Sequence, residues 1–160
     1  MRRKILLGIL LILVAIQFIR PAKNQSTEIS ANDISKGYTI PENVNNVLKK
    51  SCNDCHSNNT VYPWYFNIQP VGWWLDGHID EGKTELNFSE FASYSPRKQH
   101  HKLEEVIESV KEGNMPIKSY TWIHKNAILT DEEKLAVSEW AEKLRMEIRT
   151  KYNLPVEEKK

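Results

Sequence analysis

Cys52-Asn53-Asp54-Cys55-His56 is the stretch on which the rest of the chain turns. Two thiols three residues apart lie on one face of a helical turn. His56 follows four residues after Cys52, on that same face. One edge of a flat ligand can therefore meet both sulfurs while the imidazole reaches towards its centre. The chain holds two cysteines in all, so this pentapeptide uses its whole thiol complement.

C-x-x-C-H is the attachment pattern of c-type haem. Cys52 and Cys55 would form thioethers to the two vinyl groups, and His56 would be the proximal iron ligand. Two other chemistries compete. A thioredoxin-like dithiol wants βαβ surroundings, and no strong strand pattern lies nearby. A structural zinc site wants four ligands, usually mostly Cys; here it would draw two of His78, His100, His101 and His124.

A chain of 160 residues holds one domain plus appendages. Met1-Arg2-Arg3-Lys4 is positively charged, and Ile5–Ile19 is apolar apart from Gly8 and Gln17. No small-residue cleavage pattern follows, since the run ends in Gln17-Phe18-Ile19-Arg20-Pro21. An uncleaved N-terminal membrane anchor over residues 1–20 is therefore preferred to a cleaved signal. Its basic end would stay cytoplasmic by the positive-inside rule. The expected location is a single-pass inner-membrane protein, held through residues 5–19, with its domain facing the periplasm. Setting aside Arg2, Arg3, Lys4 and Arg20 leaves 18 of the 22 basic residues against 21 acidic ones. That balance carries no nucleic-acid footprint.

Residues 21–38 are polar and read as a flexible tether. A domain over 39–150 follows, then a charged tail over 151–160. Pro41 starts the first domain helix, with Val44, Val47 and Leu48 on one face. The aromatic loop around Tyr62-Pro63-Trp64-Tyr65-Phe66 is either a satellite core or a cofactor wall. Val71, Trp74, Leu75 and His78 mark a helix that Gly77 and Gly82 should keep short. Phe88 and Phe91 anchor a turn. Ser95-Pro96 starts a helix with Leu103, Val106, Ile107 and Val110 on its inner face, closed by Gly113; His100 and His101 are expected to be exposed. Ser119–Asn126 reads as a loop. Thr130 and Glu133 form a capping box for a last amphipathic helix carrying Val137, Trp140, Leu144 and Ile148. The expected fold is all-α.

Gly113-Asn114-Met115-Pro116 is the second chemical feature. Pro116 disfavours helix at Met115, so loop geometry presents the thioether. A methionine so placed suits the sixth position of an iron whose fifth ligand is His56, an arrangement that raises the reduction potential. The bland reading is that Met115 fills a gap in the core. His124 and His78 are the alternative distal ligands.

The order of these features resembles the small monohaem cytochrome c plan, in which the first and last helices cross above the haem. The chain also resembles a bacterial haem-binding domain family carrying C-x-x-C-H, often found behind a single N-terminal anchor. The resemblance rests on Cys52–His56 with Ser57-Asn58, Tyr62-Pro63-Trp64-Tyr65, Asn87-Phe88-Ser89, Met115-Pro116 with Tyr120, and His124 with Ala127, Leu129 and Trp140. It spans about residues 40–145 and implies one covalent haem c in a cytochrome c-like helical domain.

The function expected is one-electron transfer with redox proteins as partners, rather than enzymatic turnover. Cys52 and Cys55 attach, His56 and Met115 ligate, and Tyr62 and Trp64 wall the cofactor. The alternative is a haem peroxidase or gas sensor with a displaceable sixth ligand; a zinc or dithiol module is the lesser one.

Overall fold

A computed structural model describes residues 1–155, and its ordered elements are helical. Among the described residues the only pairing of β type is an isolated bridge between Gln25 and Asn59. The helices are α1 (Arg2–Ile16), α2 (Ile34–Gly37), α3 (Glu42–Ser51), α4 (Asn53–His56), α5 (Val71–Glu85), α6 (Pro96–Glu112), α7 (Lys118–Ile123) and α8 (Asp131–Tyr152). Short 3-10 turns cover Trp64–Asn67, Phe88–Ser93 and Lys125–Ala127.

The expected membrane span, and the single-pass inner-membrane location built on it, are corrected here. Helix α1 has 15 residues, about 22 Å at 1.5 Å per residue, against a hydrocarbon core of about 30 Å. No helix among the described residues is long and apolar enough to cross a membrane. The apolar run is cut at Gln17. Its amide donates to the Gln69 carbonyl at 2.9 Å, and its Oε1 accepts from Gln69 N–H at 2.9 Å. The Trp73 indole N–H then donates to the Ile19 carbonyl at 2.8 Å. Phe18 and Ile19 thus lie outside the helix, and the Ile19 carbonyl is tied to the domain.

The stretch read as a tether is also docked. Asn24 donates to the Ser57 carbonyl and to Thr60 Oγ1, and Asp33 caps α2, which buries Ile34 in the core.

The main core is built by α3, α6 and α8, and the α6–α8 pair forms the largest interface. The apolar spacing of each helix is the cause. Val44, Val47 and Leu48 of α3 meet Leu103, Ile107 and Val110 of α6 and Val137, Leu144 and Ile148 of α8. Ser95 accepts from Lys98 N–H to start α6, and Gly113, at φ 72°, ends it in the left-handed conformation that favours glycine. The reciprocal Thr130–Glu133 capping box starts α8. A second, smaller core joins Phe66, Leu75 and Ile79.

Four expectations about elements give way. Helix α5 is not short: it runs 15 residues. Its buried face is Gly72, Leu75, Ile79 and Gly82, so Val71 and Trp74 are exposed. The stretch Ser119–Asn126, read as loop, holds most of α7, which spans Lys118–Ile123. His100 is buried, while His101 is exposed as expected. The charged tail begins within α8, which continues to Tyr152; residues 156–160 of it lie outside the described residues.

Candidate functional site

The C-x-x-C-H turn sits where the two cores meet. Cys52 packs against the main core and Cys55 against the smaller one. Helix α3 carries its buried stripe to Ser51 and delivers the turn, which is closed by Cys55 and His56 N–H groups donating to the Cys52 carbonyl. Ser57 Oγ then donates to the Asn53 carbonyl at 2.7 Å. Asn58 fixes the exit: its N–H donates to Ser89 Oγ, and its Oδ1 accepts from Asn87.

Helix α5 crosses directly over the turn, and Gly82 permits it. A Cβ at that position would lie 2.7 Å from the Cys55 carbonyl oxygen and 3.0 Å from the Cys55 Cβ. Glycine is what allows two backbones this close.

His56 is mostly enclosed, with Phe88 edge-on to its ring at 6.4 Å. Its Nδ1 lies 2.9 Å from the Leu86 carbonyl oxygen. A carbonyl only accepts, so Nδ1 carries the proton and Nε2 keeps its lone pair. Burial lowers the His56 pKa, against the raising pull of the Leu86 and Gly82 backbone. A neutral imidazole with one nitrogen tied to a carbonyl is the form that binds a metal.

Two cavities flank these residues, of about 210 and 350 Å³. Cys52, His56, Met115, Ser51 and Glu85 line both. The smaller adds Cys55, Tyr120 and His78; the larger is backed by apolar side chains such as Leu48, Phe88, Val106 and Val137. The site is thus a two-lobed slot with thiols, imidazole and thioether on its walls.

The expected site residues separate clearly. Cys52, Cys55, His56 and Met115 come together at the slot, Met115 being 39% exposed. His78 lines only the smaller lobe, beside Trp74 and 3.7 Å from Glu81. His124 lines neither lobe: its Nε2 is paired with the Tyr65 hydroxyl at 2.9 Å and its ring stacks on Tyr120 at 4.3 Å. Tyr62 and Trp64 also lie away from the slot. Tyr62 packs on Phe66 and accepts from Asn24 N–H, and Trp64 is 76% exposed.

Four residues that shape the site are missing from the sequence-based site set. The Leu86 carbonyl leaves no signature, because any residue supplies it. Gly82 carried a signal, since a glycine inside a helix marks a close approach. Asp54 and Tyr120 are joined at 2.8 Å across the smaller lobe, a pairing that no spacing rule reveals.

The other metal and thiol chemistries fit poorly. No group of three or more His, Cys, Asp or Glu among the described residues is placed to hold a metal ion. Burial pushes the Cys52 thiol up to about 12 and Cys55 to about 11, the opposite of the lowered pKa that an exchanging dithiol uses. A haem fits the donors present: two free thiols on the wall of the smaller lobe, an imidazole of the metal-binding tautomer beside them, and apolar side chains behind.

The model of the haem-binding domain family matches residues 11–143, most of the chain. The protein belongs to the haem-binding domain family. No curated protein and no solved structure matches it. Within this haem-binding domain, two of the stretches that carried the resemblance meet at the slot and a third supports it. Cys52–His56 and Met115 line the slot, and the Asn87–Ser89 segment clasps Asn58 behind it.

Proposed function

We propose that this haem-binding protein is a one-electron carrier with a single haem, attached covalently by Cys52 and Cys55 and ligated by His56 and Met115. The observation that carries the proposal is the shared slot: both thiols, the His56 imidazole and the Met115 thioether line it. When bound there, the haem supplies an iron that accepts and gives up one electron. The chain's own residues do the rest. Leu86 holds the His56 ring by its Nδ1 proton, and Leu48, Phe88 and Val137 give the cofactor an apolar wall on one side. Redox proteins are the partners this role calls for.

The arrangement favours a carrier over a peroxidase or a gas sensor. Such sites need an open sixth position and a free distal donor. Met115 stands at the slot, the Tyr120 hydroxyl is committed to Asp54, and His124 Nε2 is committed to Tyr65.

A redox titration of the haem-loaded full chain tests this. The expected result is a single reversible one-electron transition, low-spin in both states, with no turnover of added peroxide. A high-spin ferric protein that consumes peroxide would overturn the carrier reading.

A further inference from the structure

The segment that presents Met115 is weakly held by packing. Helix α7, which begins three residues after Met115, buries no residue, and its Trp122 and Ile123 are 72% and 64% exposed. Its main packing partner is the short turn that follows it, Lys125–Ala127. On the other side, Asn114 and Met115 N–H groups donate to the Ser109 carbonyl at the end of α6. Between those two points, one side-chain hydrogen bond among the described residues reaches another element from residues 116–123. It is the Tyr120 hydroxyl donating to Asp54 Oδ2 at 2.8 Å.

Asp54 is well placed to receive it. It lies between the two cysteines, inside the turn that would attach the haem. Its other oxygen accepts from Val61 N–H at 2.9 Å, and its carbonyl accepts from Thr60 Oγ1 at 2.6 Å. One carboxylate oxygen and the backbone carbonyl of Asp54 are therefore held before Tyr120 reaches the other oxygen. The Tyr120 ring is fixed too: His124 stacks on it with planes 10° apart, and Tyr65 holds His124 in turn. Burial and the Asp54 charge push the Tyr120 pKa far up, so its hydroxyl stays a proton donor.

We propose that the Tyr120–Asp54 hydrogen bond is the tie that holds the Met115 segment against the C-x-x-C-H turn, making Tyr120 a positioning residue for the sixth ligand. This rests on the reading of Met115 as that ligand. The tie joins the two walls of the slot directly, one carrying the attachment turn and the other the thioether. A hydrogen bond to a charged acceptor is strong enough to bias a two-state segment. Cutting it lets Met115 leave the iron part of the time, with the thioether bonds and His56 untouched.

The test uses ferric, haem-loaded full chain and imidazole as the competing ligand, together with the reduction potential. Tyr120→Phe keeps the ring and removes the tie. It is expected to bind imidazole about tenfold more tightly than the wild type, the size of shift that loss of one such bond produces, and to have a lower potential. Asp54→Ala should behave like Tyr120→Phe, and it tests the same bond from the other end if that variant folds poorly. Asp54→Asn has one acceptor oxygen for two donors, Val61 N–H and the Tyr120 hydroxyl, and loses the charge, so its imidazole affinity should fall between the wild type and Tyr120→Phe. Wild-type imidazole affinity and potential in both Tyr120→Phe and Asp54→Ala would overturn the tie, with the carrier reading standing if Met115→Ala still changes the spectrum. No change in Met115→Ala would overturn Met115 ligation and the tie together.

Discussion

Gly82→Ala is expected to destabilise the domain by about 1–3 kcal/mol, the usual cost of an overpacked contact, while Gly77→Ala in the same helix should stabilise it by about 0.5–1 kcal/mol. Both changes replace glycine by the best helix former, so helix propensity alone predicts a gain at each. The surroundings reverse one of them. A Cβ at Gly77 meets nothing within 4 Å, whereas at Gly82 it runs into the Cys55 backbone. The obstacle is a carbonyl inside the attachment turn, and it has no rotamer with which to move aside. Either α5 shifts outward, taking the Leu86 carbonyl from His56, or the turn shifts and moves Cys55. If the haem is attached as proposed, both also lower its yield on the chain. Thermal melts of the two variants should therefore move in opposite directions, by a few degrees each. Stabilisation by both would mean that α5 does not approach the turn this closely.

Met115→Ala is expected to leave haem on the chain and change its iron. The side chain is 39% exposed, so its removal should cost under about 1 kcal/mol of folding free energy, as surface substitutions do. The attachment residues and His56 stay in place. What changes is the sixth position. The ferric spectrum should move from low-spin to high-spin, the Met-to-iron charge-transfer band should vanish, and the potential should fall, since a thioether ligand raises it. Met146→Ala is the control. Met146 is also exposed, at 47%, but it lies on α8 and lines neither lobe of the slot. A Met115→Ala protein whose spectrum matches the wild type would remove Met115 from the ligand set.

The helices with a clean apolar period were legible in the sequence. Val44, Val47 and Leu48 in α3, Leu103 and Ile107 in α6, and the stripe of α8 are buried as their spacing predicts. The Ser95, Gly113 and Thr130 boundaries also follow from local chemistry. Helix α5 shows where the pattern misleads. Its contact face runs through Gly72 and Gly82, which count as breakers in any apolar tally, while Trp74 is half exposed. The face is set by how near a backbone can come, which hydropathy does not measure. His100 failed for a related reason: polar neighbours in sequence hid a buried position. Residues 5–19 failed at Gln17, because pairing with Gln69, 52 positions away, ends the helix.

At the site, the sequence singled out the C-x-x-C-H turn and Met115, which line one slot, because sulfur and imidazole at fixed spacing are rare and chemically specific. Tyr62 and Trp64 were chosen for being aromatic and near the motif in sequence, but neither lines the slot: Trp64 points into solvent, and Tyr62 packs into the smaller core that Cys55 also touches. The Asp54–Tyr120 pair was out of reach for the opposite reason. Both residues lay in stretches already singled out, but they are 66 positions apart and nothing in the sequence joins them.

The measurement that bears most directly on the central claim is the intact mass of the denatured full chain, purified from a host with cytochrome c maturation machinery, beside the Cys52→Ala/Cys55→Ala double variant. The account predicts a wild-type chain heavier by one haem after denaturation, and a double variant at its bare polypeptide mass. A wild-type chain at bare polypeptide mass, with haem absent or lost on denaturation, would contradict it.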